Sequence, residues 1–403
     1  MQTVTPETVG MSSERLARID TVMQNFVKDN QLPGIITLIQ RRGEIAQSGM
    51  YGMMDIENNR PMEEDAIFRI YSMTKPIVSI ALMMLLEEGK LSLADPVAQY
   101  VPAFAKTKVF TGMTPVGMQL TNQNPPMLIH HLMTHTSGLS YGFFVDNPVE
   151  ELYRQLRDNV SKRDTTLEDF INHLAEIPLI CQPGERWNYS MSTDVVGYLV
   201  QVISGMSLDD FLEERIFKPL GMVDTAFDVP ADKVNRLAQI YGSRGLYDPF
   251  PIPPDDVMGI RDVTKPTLSP GGGGGLVSTL ADYLRFTRCL LNGGELDGFR
   301  LIAPRTLQYM TADHLKPHML PIRLGFSEVG RRFGLGFRVV TNIGESQDIT
   351  SVGEYGWSGA AQTYFTIAPE ENMILLFMSQ LLPTSPYPVR RRFTNLAYQA
   401  IMD

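Results

Sequence analysis

Strand-like segments stand at the two ends of this 403-residue chain, with helix-like sequence between them. Near the N-terminus, residues 35–40 and 44–52 flank Arg41-Arg42-Gly43, which predicts a hairpin. Near the C-terminus, residues 333–341, 353–356, 362–367 and 373–379 have strand character. Residues 13–28 form an amphipathic helical pattern ahead of the first strand, and residues 388–402 a closing helix. From residue 76 to about 291 the pattern is helical. The predicted class is therefore α+β: one antiparallel sheet built from both chain ends, flanked by helices, with an inserted and mostly helical region. The expected division joins residues 1–75 to 330–403 and sets apart 76–329. That inserted part contains a proline-rich loop at 228–270, the kind of long connection that often serves as a lid.

Chemistry enters at the start of the first inserted helix. Ser72-Met73-Thr74-Lys75 precedes an apolar run, 77–86, with Ile77, Ile80, Ala81, Met84 and Leu85 at helical spacing. Residues three apart on a helix are neighbours, so the Ser72 hydroxyl and the Lys75 amine fall side by side. A serine hydroxyl is a weak nucleophile that needs an adjacent base. A lysine can be that base when burial keeps part of it neutral. A helix N-terminus also offers free N–H groups to an oxyanion. The spacing alone is equally that of a capping serine with a solvated lysine.

Two further segments bear on it. Trp187-Asn188-Tyr189-Ser190-Met191-Ser192 follows the turn Gln182-Pro183-Gly184-Glu185 and precedes an apolar helix at 195–203. A tyrosine there can reach a cleft, and its phenolate is a competent general base where cations stabilise it. Its plain alternative is a core ring with a bonded hydroxyl. Tyr355-Gly356-Trp357-Ser358-Gly359-Ala360 is rich in small residues that let a strand edge approach a ligand and offer it a backbone N–H.

Taken together, Ser72-x-x-Lys75, Tyr189 and Trp357-Ser358-Gly359 resemble the motifs of the serine β-lactamase and penicillin-binding-protein superfamily. The nearest likeness is to class C β-lactamase-like esterases, the family VIII carboxylesterases. Residues 88–97, from Glu88 to Val97, and 129–139, from Ile129 to Leu139 with His135-Thr136-Ser137-Gly138-Leu139 at its end, resemble further segments of that family. The resemblance implies a β-lactamase-like fold with the site in a cleft between sheet and helices. It implies Ser72 as nucleophile, Lys75 and Tyr189 as its base pair, and the N–H groups of Ser72 and Ala360 as the oxyanion hole. Trp357, Ser358, Gly359 and Met191 take substrate-binding positions. In the β-lactamases the second motif ends in asparagine and the third begins with lysine; here those places hold Met191 and Trp357. Partners for a substrate amide and carboxylate are thereby lost, and the tryptophan form matches the esterases. The expected activity is hydrolysis of short-chain esters through an acyl-Ser72 intermediate, with weak β-lactam hydrolysis as a side reaction. A β-lactamase, a D-amino-acid peptidase or amidase, an acyltransferase, and a silent peptidoglycan-binding scaffold are the alternatives.

Other features carry less. Gly138-Leu139-Ser140-Tyr141-Gly142 matches G-x-S-x-G, but the helical pattern before it is not the strand–turn–helix that motif requires. His130, His131 and His135 lack the H-E-x-x-H glutamate, so no metal is expected. Gly271 to Gly275 lacks a following Gly-Lys-Ser/Thr and is no phosphate loop; close packing beside the nucleophile helix is its expected use. Arg390-Arg391-Arg392 is expected to be a solvated face. The formal charge of −10 argues against nucleic acid or an anionic membrane as partner. No cofactor is implied, and the partner expected is a small-molecule ester. Without a basic and apolar leader or an apolar run long enough to span a bilayer, the expected location is cytoplasmic. Cys181 and Cys289, distant in sequence, are expected as free thiols.

Overall fold

The computed structural model describes residues 1–403 apart from 143–146, 161–164, 244–248, 253–259, 325–326 and 383–387. Helix α1 (Ser13–Lys28) is capped by the Ser12 side chain, which accepts the Arg15 N–H. Strands β1 (Gly34–Arg41), β2 (Glu44–Asp55) and β3 (Arg60–Pro61) follow. Five more come from the other end of the chain: β4 (Arg331–Phe333), β5 (Arg338–Val340), β6 (Tyr355–Gly359), β7 (Thr363–Ala368) and β8 (Met373–Met378). They form one eight-stranded sheet in the order β4-β5-β6-β7-β8-β1-β2-β3. Every neighbour in it is antiparallel. The chain ends meet where β1 pairs with β8, in the register Ile36↔Met378 to Arg41↔Met373.

Alternation along the strands divides the core between two faces. Ile35, Ile39, Leu375 and Phe377 pack on one side against Ile19 and Met23 of α1 and Phe393 of the closing helix. Ile36, Leu38, Phe365 and Leu376 face the inserted region on the other. There lie α2 (Thr74–Glu87), α3 (Val149–Val160), α4 (Ser192–Ser204) and α5 (Leu280–Leu291). The closing helix, α6, spans Val389–Tyr398. Residues 74–85 of α2 are all buried, so this helix is surrounded rather than amphipathic. No single helix among the described residues is long and apolar enough to cross a membrane.

The structure departs from the sequence pattern in three places. The segment expected as one strand over 333–341 is two, β4 and β5, folded back at Gly334–Phe337 with a Gly334 N–H to Phe337 carbonyl bond of 2.8 Å. The strand expected at 353–356 begins later, because Gly353 sits at φ 83° and still belongs to a turn. The stretch expected to be helical contains a hairpin, Val109–Thr114 paired with Gly117–Thr121. In the proline-rich loop, Tyr241–Ser243 pairs with Pro249–Pro251 on one side and with Leu381–Leu382 on the other. Its segments 244–248 and 253–259, with Pro253 and Pro254, lie outside the described residues.

Candidate active site

Ser72 lies on a single 3-10 turn, Tyr71–Met73, that leads directly into α2. Tyr71 before it adopts φ 45°, an uncommon conformation for a bulky side chain and one found where the surroundings impose it. Lys75, on the first turn of α2, is 1 % exposed. Its Nζ donates to Ser72 Oγ at 3.2 Å, to the Tyr141 hydroxyl at 2.8 Å and to the Gly273 carbonyl at 2.5 Å. Tyr189 donates its hydroxyl to Ser72 Oγ at 2.7 Å, and Trp357 donates its indole N–H to the Tyr189 oxygen at 3.3 Å. Lys75 Nζ also stands 4.8 Å from the centre of the Tyr189 ring and 5.3 Å from that of Tyr141. The three sequence segments thus converge on one hydroxyl.

Two neighbours fix the state of this network. Burial holds the Tyr141 phenol well above the usual tyrosine range, and Tyr189 and Asp194 add to the effect. Tyr141 therefore meets Lys75 as a neutral hydroxyl. Asp194, buried on the first turn of α4, accepts the Gly273 N–H at 2.8 Å. Burial pushes its carboxyl upward; Lys75 and the Gly273 N–H oppose that. Asp194 thus grips the residue whose carbonyl binds Lys75. A neutral lysine amine has two N–H bonds and one lone pair. In that form, with the Gly273 carbonyl and the Tyr141 oxygen taking the two N–H bonds, the lone pair would face Ser72 Oγ in place of the third N–H.

The glycine run makes this approach possible. A Cβ on Gly272 would lie 2.5 Å from the Thr193 carbonyl, and one on Gly273 2.4 Å from Asp194 Oδ2. Gly273→Ala is expected to lower kcat/KM for any acylating substrate at least tenfold, since a shift near 1 Å costs on the order of 10²-fold. Steady-state kinetics beside a thermal melt checks this; a wild-type rate would show that the Gly273 carbonyl does not orient Lys75.

The far wall is β6. Tyr355 and Trp357 face the inserted region, and alternation puts half-buried Ser358 on the opposite face, across from Tyr364. Gly359 comes so near the nucleophile turn that a Cβ there would stand 2.3 Å from the Ile70 carbonyl oxygen. Thr363 Oγ1 donates to that same carbonyl at 3.2 Å. Ala360 follows on the exposed turn between β6 and β7. Met191, 3 % exposed, sits at the cap of α4 with its side chain in the core. Beside this wall, Tyr71 packs with Ile240, Ile252, Ile260, Ala361 and Leu382, so the proline-rich loop reaches the nucleophile's neighbour.

The remaining candidates have other engagements. Ser140 is fully buried and donates its hydroxyl to Glu150 at 2.5 Å. His130 Nε2 meets His314 Nδ1 at 3.2 Å, His131 Nδ1 accepts the Leu128 N–H, and His135 Nδ1 meets Ser190 Oγ at 3.3 Å. Burial lowers His131 to about 4 and His135 well below the usual histidine range. Among the described residues no three histidine, cysteine or carboxylate side chains cluster as a metal site would need. Arg390 departs from a solvated face: it is half-buried, and burial with Arg338 nearby lowers its guanidinium to about 10. Arg391 binds Asp348 at 2.6 Å, while the Arg392 guanidinium lies 5.3 Å from the centre of the Phe26 ring. Cys181 and Cys289 are both free and buried. The sequence reading missed Tyr141 and Gly273 as partners of Lys75, and Asp194 as the partner of Gly273. Asp194 had a signal, a carboxylate on the apolar helix after Tyr189; Tyr141 lay hidden inside the G-x-S-x-G match.

A serine and a lysine three apart at the head of a buried helix, with an antiparallel sheet edge beside them, is the arrangement of the serine β-lactamases and penicillin-binding proteins. The chain belongs to the Beta-lactamase family, whose model matches residues 19–399. It is 37 % identical over 360 residues to Protein Rv1367c of Mycobacterium tuberculosis (strain ATCC 25618 / H37Rv), covering 87 % of this chain and 86 % of that one. It is 33 % identical over 283 residues to Esterase EstB of Burkholderia gladioli, covering 67 % and 68 %. The fold superposes on that of EstCE1, described as a hydrolase with promiscuous acyltransferase activity, with a TM-score of 0.81 at 24 % identity, covering 96 % of this chain and 99 % of that one. These likenesses support a hydrolase of this superfamily.

Proposed function

We propose that the protein is a serine carboxylesterase acting on short-chain esters through an acyl-Ser72 intermediate. The observation that carries this reading is the double contact on Ser72 Oγ, with Tyr189 at 2.7 Å and Lys75 at 3.2 Å. Lys75 and Tyr189 together take the Ser72 proton as Oγ attacks the ester carbonyl, forming the C–O bond of a tetrahedral intermediate. The backbone N–H groups of Ser72 and Ala360 hold its oxyanion. The alkoxide leaves with a proton returned through Tyr189. Water, deprotonated by the same pair, then attacks the acyl-serine and frees Ser72. The base is the coupled pair rather than either residue alone. Trp357, donating to Tyr189, stabilises negative charge on the phenol oxygen and forms a wall of the pocket with Gly359 beside it, whereas the Ser358 side chain, expected to bind substrate, points to the other face of the sheet.

Esters are favoured over β-lactams by what this site lacks. Met191 turns into the core where a hydrogen-bonding side chain would meet a substrate amide, and Trp357 offers an N–H, not a cation, where a carboxylate would bind. An ester needs neither partner, and its alkoxide leaves more readily than an amine. Short p-nitrophenyl esters are expected to show kcat/KM at least about 10²-fold above a chromogenic cephalosporin, the scale of losing one or two polar recognition contacts. Both substrates measured in one buffer decide it. A cephalosporin value equal to the ester's would mean that other groups recognise the β-lactam. The similarity to Esterase EstB of Burkholderia gladioli supports the ester reading.

A further inference from the structure

The G-x-S-x-G segment and Glu150 remain outside the chemistry proposed above. Glu150 stands on the first turn of α3 and is 1 % exposed. Its Oε1 accepts the Ser140 hydroxyl at 2.5 Å. Burial pushes its carboxyl upward, while Ser140, the Gly142 N–H, Arg154 and Arg186 favour the charged form. One turn later on α3, Arg154 Nη1 donates to the Gly142 carbonyl at 2.9 Å. Gly142 takes φ 90° and lies so tight against the helix that a Cβ there would stand 2.8 Å from the Arg154 nitrogen. The first turns of α3 therefore grip both residues that flank Tyr141, whose hydroxyl is one of the three acceptors on Lys75.

We propose that Glu150 is a positioning residue: through Ser140, while Arg154 on the same helix holds Gly142, it keeps Tyr141 against Lys75 and so keeps the Lys75 amine aimed at Ser72. The inference rests on the esterase reading. A carboxyl is costly to bury unless hydrogen-bonded, and a merely apolar packing contact needs none. A buried hydrogen bond left unmade costs the desolvation of its group, so the Ser140–Glu150 bond holds its two partners together. Here that bond falls on a short irregular segment with no ladder of its own. In this arrangement Ser140 and Gly142 serve as the two ends of a clamp on Tyr141, which accounts for the motif without making Ser140 a nucleophile.

The test compares full-length variants by kcat/KM for a short p-nitrophenyl ester and by the rate of Ser72 labelling with a fluorophosphonate. Glu150→Ala is expected to lower both about tenfold, the scale of a sub-ångström misplacement of a catalytic group. Glu150→Gln, which keeps an oxygen acceptor for Ser140, should recover most of that loss. In a Tyr141→Phe background Glu150→Ala should change the rate less than about twofold, because both act through one contact. An equal loss in both backgrounds, or a folded Glu150→Ala at the wild-type rate, overturns the proposal. Should Glu150→Ala fail to fold, Ser140→Ala replaces it in the same comparison with Tyr141→Phe: a loss confined to the Tyr141 background supports the clamp, and an equal loss in both overturns it. Absence of labelling in the wild type would instead overturn the esterase reading, and this inference with it.

Discussion

Ser72→Ala is expected to reduce ester turnover by more than about 10⁴-fold and to abolish labelling by a fluorophosphonate, as loss of a nucleophile does in other serine hydrolases. The expectation follows from where hydrogen bonds meet. Ser72 Oγ is contacted by both Lys75 and Tyr189, and it stands at the head of α2, where the first N–H groups have no partner within the helix. Ser140, the other serine in a recognisable motif, is fully buried and already committed to Glu150. Ser140→Ala should therefore still label at Ser72, more slowly by about tenfold if the clamp on Tyr141 loosens. Intact-mass analysis after labelling separates the two residues. Covalent adduct on Ser140, or full labelling of Ser72→Ala, would move the chemistry away from α2 and undo the mechanism.

Much of the fold was legible because its longest elements bury themselves in regular patterns. Residues 13–28 of α1 coincide with the helical period, and β1 and β8 are short apolar runs whose burial on both faces left little room for another reading. The pairing of chain ends followed from the need of both strand groups for partners. The misses fall where local geometry overrides pattern. Gly334-Leu335-Gly336 folds a strand-like run in two, because Gly336 adopts φ 87° and its Cα lies where a Cβ would stand 2.2 Å from Ser79 Oγ. The hairpin Val109–Thr114 with Gly117–Thr121 has a short exposed tip and largely exposed strands, so it carries no strong apolar period of either kind.

The site was legible in part for a related reason. Ser72 and Lys75 stand in a motif whose spacing itself encodes a contact, one helical turn apart, while Tyr189 was legible through its place before an apolar helix and the family resemblance. Tyr141 and Gly273 meet Lys75, and Asp194 meets Gly273, from separate parts of the chain, and no spacing within one segment predicts such a meeting. Gly273 is the hardest case, since it acts through its carbonyl and through the absence of a side chain. Met191 shows the opposite failure. Its position in the motif suggested a substrate contact, but the start of α4 turns that side chain into the core.

Lys75→Ala and Tyr189→Phe are each expected to lower kcat by on the order of 10²- to 10⁴-fold with little change in KM, the range for loss of a general base. Both groups act on the Ser72 proton and neither is asked to hold the substrate, so the loss belongs in the chemical step. The two substitutions differ in what they leave behind. Tyr189→Phe keeps the ring under Trp187 and against His135 but removes the hydroxyl that links Ser72 Oγ to the Trp357 N–H. Lys75→Ala takes away the donor of the buried Gly273 carbonyl; it should cost stability as well as rate, since a buried unpaired acceptor costs about 1–3 kcal/mol. A thermal melt beside the kinetics separates these terms. Because the two residues share one proton, the double variant should fall little further than the worse single variant. Additive losses would mean that Lys75 and Tyr189 serve different steps, with one activating Ser72 and the other only protonating the leaving alcohol. A Tyr189→Phe protein with wild-type kcat would leave Lys75 as sole base and make the Tyr189 hydroxyl a structural contact.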